Sequence, residues 1–89
     1  MNNILITVDK RAALNQIHNL KLHMEKAARV SKENSYTEIQ QAKGHLYVAK
    51  GIFGVLKDLR ILINWEIYNE NLIQIEEKHR EILWDKRRR

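Results

Sequence analysis

The apolar positions Ala13, Ile17, Leu20, Met24 and Ala27 recur in steps of four, three, four and three. That spacing lines one face of a helix with a heptad-like stripe. Asp9, just before the stripe, is a residue type that caps helix N-termini through its side-chain oxygen. Glu25 and Arg29 stand at i,i+4 in the favourable acid-before-base order. The stripe ends in Ser31-Lys32-Glu33-Asn34, the most polar stretch of the chain and the best turn candidate. The pattern predicts a first helix over 9–31.

A second helix starts sharply. Ser35-Tyr36-Thr37-Glu38 is a capping box, in which the Ser hydroxyl takes one free backbone N–H and the Glu side chain reaches back for another. Its stripe is Ile39, Ala42, Leu46, Ala49, Phe53 and Leu56, widening to Ile52, Val55, Leu59 and Ile63. A face that wide belongs to a central helix. Run over 35–64, it is ~43 Å long at 1.5 Å per residue. Gly44, Gly51 and Gly54 lie inside it, each costing roughly 0.8–1 kcal/mol against Ala. They mark either close approach by another helix or a bend.

A third apolar series, Trp65, Ile67, Tyr68, Leu72, Ile75, His79, Ile82 and Leu83, again has helical spacing and predicts a helix over 65–85. Asn69-Glu70-Asn71 is the strongest break signal near the junction, although no Pro or Gly forbids one helix over 36–85. The apolar, partly β-branched Ile4-Leu5-Ile6-Thr7-Val8 has no strand partner, so residues 1–8 read as an apolar arm.

These elements make one small all-α domain over 1–89, an antiparallel helical hairpin or three-helix arrangement with a long central helix. The expected core is Ile17, Leu20, Met24, Leu46, Phe53, Leu56, Leu59 and Ile63. Two helices cannot cover both faces of the central one. Val48, Ile52, Val55, Leu59 and Leu62 are therefore expected to self-associate, giving a homodimeric helical bundle. Length supports this, because a chain of 89 residues buries only about 60–65% of its unfolded surface. With no Cys there is no disulfide to reinforce it.

Charge changes the picture less than the net value of +5 suggests. Residues 65–85 carry Lys78 and Arg80 against six acids, whereas Lys86, Arg87, Arg88 and Arg89 form a basic tail at 86–89. The excess therefore sits in that tail, behind an acidic segment. Lys43, Lys50 and Lys57 repeat every seven residues and form a basic line ~21 Å long on a helix, able to follow phosphates. A solvated face has the same pattern. The N-terminal apolar run is too short for a signal peptide, and the stretch from Gly51 to Ile63 is interrupted by charges. The expectation is a cytoplasmic protein without a membrane partner. Ile, Asn and Lys supply 28 of 89 residues, a bias that fits an AT-rich bacterial or phage genome.

Catalytic chemistry finds little to work with. The hydroxyls of Thr7, Ser31, Ser35 and Thr37 have no His at a recognisable spacing, and three Gly match no phosphate-binding loop. His18 and His23, five apart, diverge on a helix. Glu76 and His79 form a single Glu-x-x-His, and di-iron bundles require two with two further Glu, so this pair reads as a solvated helix face. Arg11 and His18 form an R-x6-H spacing that resembles the ribonuclease motif of HEPN domains. Ala12 stands where those motifs place a polar residue, and no site residue is carried over. No catalytic residue, cofactor or metal is expected.

Two functions compete. One is a non-enzymatic helical regulator or inhibitor that binds another, unidentified protein, with Trp65, Tyr68 and Trp84 as candidate anchors wherever they are exposed. The alternative is a DNA- or RNA-binding regulator using Lys43, Lys50, Lys57 and the tail Lys86, Arg87, Arg88 and Arg89. The acidic segment ranks protein binding first.

Overall fold

The computed structural model describes residues 9–87. The arm at 1–8 and the tail residues Arg88 and Arg89 lie outside them. Among the described residues the chain is all-α, with α1 at Lys10–Ala28, α2 at Tyr36–Asp58 and α3 at Trp65–Arg87. α1 and α2 pack as an antiparallel hairpin, and α3 lies more loosely against it. The body is elongated, 60 × 19 × 18 Å.

Both predicted caps are present. The Asp9 carboxylate accepts from the Arg11 N–H at 3.1 Å. Ser35 Oγ accepts from the Glu38 N–H at 3.1 Å while Glu38 accepts from the Ser35 N–H at 2.8 Å. That hydrogen bond from the Ser35 backbone holds the Glu38 carboxyl below the usual range. Glu25 and Arg29 pair as their spacing predicts. In the turn, Asn34 Oδ1 accepts from the Ser31 N–H at 2.7 Å.

The main core joins Leu20, Met24 and Ala27 of α1, Leu46, Ala49 and Leu56 of α2, Leu62 of the second connection, and Leu72 and Ile75 of α3. Val30, Ile39, Ala42 and Ile82 form a second cluster beside the first turn. Of the predicted core, Leu20, Met24, Leu46 and Leu56 are buried, and Ile17 and Phe53 pack partly buried against them. Leu59 and Ile63 are exposed, 43% and 90%.

That correction has a local cause. α2 ends at Asp58, not at 64, and so spans ~34 Å at 1.5 Å per residue. Arg60 has φ of 59°, and its N–H donates to the Lys57 carbonyl at 3.0 Å, while the Ile61 N–H donates to the Leu56 carbonyl at 2.9 Å. These two bonds around one left-handed residue are a Schellman stop. Glycine usually occupies that position; here an arginine does. The reversal throws Leu59 and Ile63 off the core line and turns Leu62 inward, to 5% exposed. The break therefore lies at 59–64, and Asn69-Glu70-Asn71 is inside α3. α1 is shorter than expected, ending at Ala28, and Lys86 and Arg87 belong to α3 rather than to a free tail.

Besides the buried Leu72, Ile75 and Ile82, α3 is fastened by polar side chains aimed at the hairpin. Lys78 Nζ donates to the Ala28 carbonyl at 2.7 Å, and the His79 ring Nε2–H donates to the Ala27 carbonyl at 2.6 Å. Both carbonyls belong to the last turn of α1, whose free acceptors and dipole favour such donors. Lys32 pairs with Asp85 at 3.1 Å and Lys50 with Glu76. Lys57 Nζ lies 4.2 Å from the centre of the Trp65 ring, a cation–π arrangement.

Candidate functional site

The face of α2 opposite its buried stripe exposes apolar side chains. Val48, Val55 and Leu59 are 45%, 57% and 43% exposed, and Ile52 is half-buried. Of the five predicted self-association residues, Val48, Val55 and Leu59 are exposed, Ile52 packs partly buried against the main core, and Leu62 is buried in it. Gly44 and Gly51 complete the outward row Gly44, Val48, Gly51, Val55, again in steps of four, three and four. Gly54 and Tyr47, the latter 82% exposed, flank it. A Cβ added at Gly44, Gly51 or Gly54 meets nothing within 4 Å. Among the described residues, these glycines serve neither a close helix approach nor a break.

The candidate anchors divide. Trp65 and Tyr68 pack partly buried against the main core, so they hold α3 in place. Trp84 is 61% exposed. It lines a concavity on α3 with Glu77, Arg80, Glu81, Leu83 and Arg87, where an apolar ring stands among alternating charges.

The basic candidates divide too. Lys50 and Lys57 are turned towards α3, on Glu76 and Trp65. The Lys50 contact holds the Glu76 carboxyl below its usual range. Lys43 is exposed and makes no salt bridge among the described residues. Lys86 is half-buried beside Lys32, Tyr36, Ile82 and Asp85, and Arg87 is exposed at the end of α3. The lysine line is therefore mostly an intramolecular seam.

One histidine overturns its sequence reading, and another has a partner that the sequence did not reveal. His79 is not on a solvated face: it is 2% exposed, and its Nδ1 is buried without a hydrogen-bond partner. Its place in the apolar series, in register with Ile75 and Ile82, is the signal that mattered. His23 faces His45 across the hairpin, Nδ1 to Nδ1, at 3.0 Å. The ring centres are 5.2 Å apart and tilted by 33°. Desolvation, then His23 and Lys26, holds His45 below the usual imidazole range. This pair was missed because a pairing across helices needs the hairpin register, which follows once the turn is placed at 31–34. Arg11 and His18 are both exposed on the N-terminal half of α1. Among the described residues, no group of three or more His, Asp or Glu side chains is placed to hold a metal ion. No described helix is long and apolar enough to cross a membrane.

Compared with family models, curated proteins and solved structures, the chain has no match.

Proposed function

We propose that this protein is a non-enzymatic helical interaction protein, acting as a homodimer and serving as a regulator or inhibitor of another protein. The observation that carries the reading is exposed apolar surface in two separate places: Val48 and Val55 on α2 with Leu59 at its C-cap, and Trp84 on α3. A contiguous apolar face on a small helical body is the usual mark of an interaction site. A tryptophan standing among charges is the residue type that most often anchors a partner.

The nucleic-acid alternative has weaker support. Two of the three lysines on its basic line are engaged with α3, and Glu77 and Glu81 stand beside Arg80 and Arg87. Sedimentation equilibrium of the full chain at tens of micromolar, with DNA and RNA gel shifts at two salt concentrations, tests the choice. A dimer with no shift supports the proposal, as does a protein captured by the wild-type chain and lost on Trp84→Ala. A monomer at all concentrations removes the homodimer. Tight, salt-steep gel shifts weakened by Lys43→Gln favour the alternative.

A further inference from the structure

We propose that the outer row of α3 pairs with the same row of a second copy, antiparallel, about a two-fold axis level with Ile82. The proposal rests on the homodimer reading above and names its contact surface, so the partner that Trp84 anchors is a second copy. A two-fold interface must be complementary to itself, so each residue must be answered at its mirror position along the helix. Glu77, Arg80, Trp84 and Arg87 meet that condition about a single centre. They follow one another in steps of three, four and three, the spacing that keeps a row on one side of a helix. Glu77 and Arg87 stand five residues either side of Ile82, and Arg80 and Trp84 two either side. Turned about that level, Glu77 falls opposite Arg87 of the second copy, and Arg80 opposite Trp84 of the second copy. Symmetry repeats both, so one register makes two ion pairs and two cation–π contacts.

The single chain does not supply these partners. Glu77, Arg80 and Arg87 are exposed and form no salt bridge among the described residues, and Trp84 is 61% exposed. All four line the same concavity. The buried side of α3, with Leu72, Ile75, His79 and Ile82, faces the hairpin, and the row looks outward.

Charge selects the antiparallel arrangement. A parallel pairing sets Glu77 against Glu77, Arg80 against Arg80 and Arg87 against Arg87, and like charges placed together oppose it. In the antiparallel register Glu81 approaches its own copy on the flank beside the axis. The face nevertheless balances Glu77 and Glu81 with Arg80 and Arg87, so two copies meet without net repulsion. The overlap from 77 to 87 is ~15 Å long at 1.5 Å per residue. A contact that short is small, and its dimer dissociates readily.

Sedimentation equilibrium on the full chain tests this, with circular dichroism to confirm that each variant keeps its helices. Glu77→Arg sets two arginines opposite each other and raises the dimer dissociation constant about three- to tenfold at low salt. Glu77→Arg combined with Arg87→Glu exchanges the pair and restores the dimer. Trp84→Ala removes both cation–π contacts and raises the constant about tenfold or more. A dimer that ignores Glu77→Arg and Trp84→Ala, or that the exchange fails to restore, overturns this geometry while leaving the homodimer reading intact. A wild-type chain monomeric at hundreds of micromolar overturns both.

Discussion

His23 and His45 meet across the hairpin with their Nδ1 atoms 3.0 Å apart. The contact is a hydrogen bond only while one of those nitrogens carries a proton and the other does not. Charging His45 there is opposed by its desolvation, by the facing His23 ring and by Lys26 nearby.

Acidification therefore weakens the fold before its carboxylates titrate. His45 is held below its unfolded pKa, chiefly by desolvation. Its contribution is present above the unfolded value, near 6.5, and is lost as pH falls through the folded one. Thermal melts between pH 7.5 and 5.5 should show a falling midpoint. His45→Phe should flatten that slope, and an unchanged slope would show that the pair does not carry it.

Below about pH 5 a second loss should follow. Glu38 and Glu76 are held low by the Ser35 backbone and by Lys50, so their stabilisation is present above the unfolded carboxylate pKa and disappears as each is protonated. Glu38→Gln and Glu76→Gln should each reduce the acid-limb slope in urea titrations. Both groups are solvent-facing, so each effect is small.

His79 should be the most sensitive polar residue of α3. His79→Ala removes a buried ring and leaves the Ala27 carbonyl without that donor, a combined cost of about 2–4 kcal/mol. Lys78→Ala, which removes an exposed donor to the neighbouring carbonyl, should cost less than about 1 kcal/mol. Urea unfolding that ranks them the other way would refute the greater weight given to His79.

Arg60→Gly should stabilise the protein. The left-handed backbone at Arg60 costs an L-residue roughly 1–2 kcal/mol that glycine avoids, partly offset by the entropy glycine loses on folding. The expected gain is about 0.5–1 kcal/mol in urea unfolding, and a loss would mean that the Arg60 side chain has a role beyond the turn.

The sequence alone determined the helical class, the first turn and both N-caps. Each rests on interactions within four residues, and such contacts are written directly in the spacing of Asp9, Ser35 and Glu38. The buried stripe on α1 was legible for the same reason, because a 3.6-residue period leaves few choices of inward face. Tertiary structure decided where α2 stops, since no Gly or Pro marks Arg60 as a left-handed residue. Ile61 and Leu62 reach the core only if the chain reverses there, and their burial outweighs the backbone cost. It also decided which polar groups of α3 find partners on α1. His79 and Lys78 are drawn to carbonyls on a helix about fifty residues earlier in the chain, and the His23–His45 meeting depends on the hairpin register. Long-range partners of that kind have no local signature, so only the packed helices reveal them.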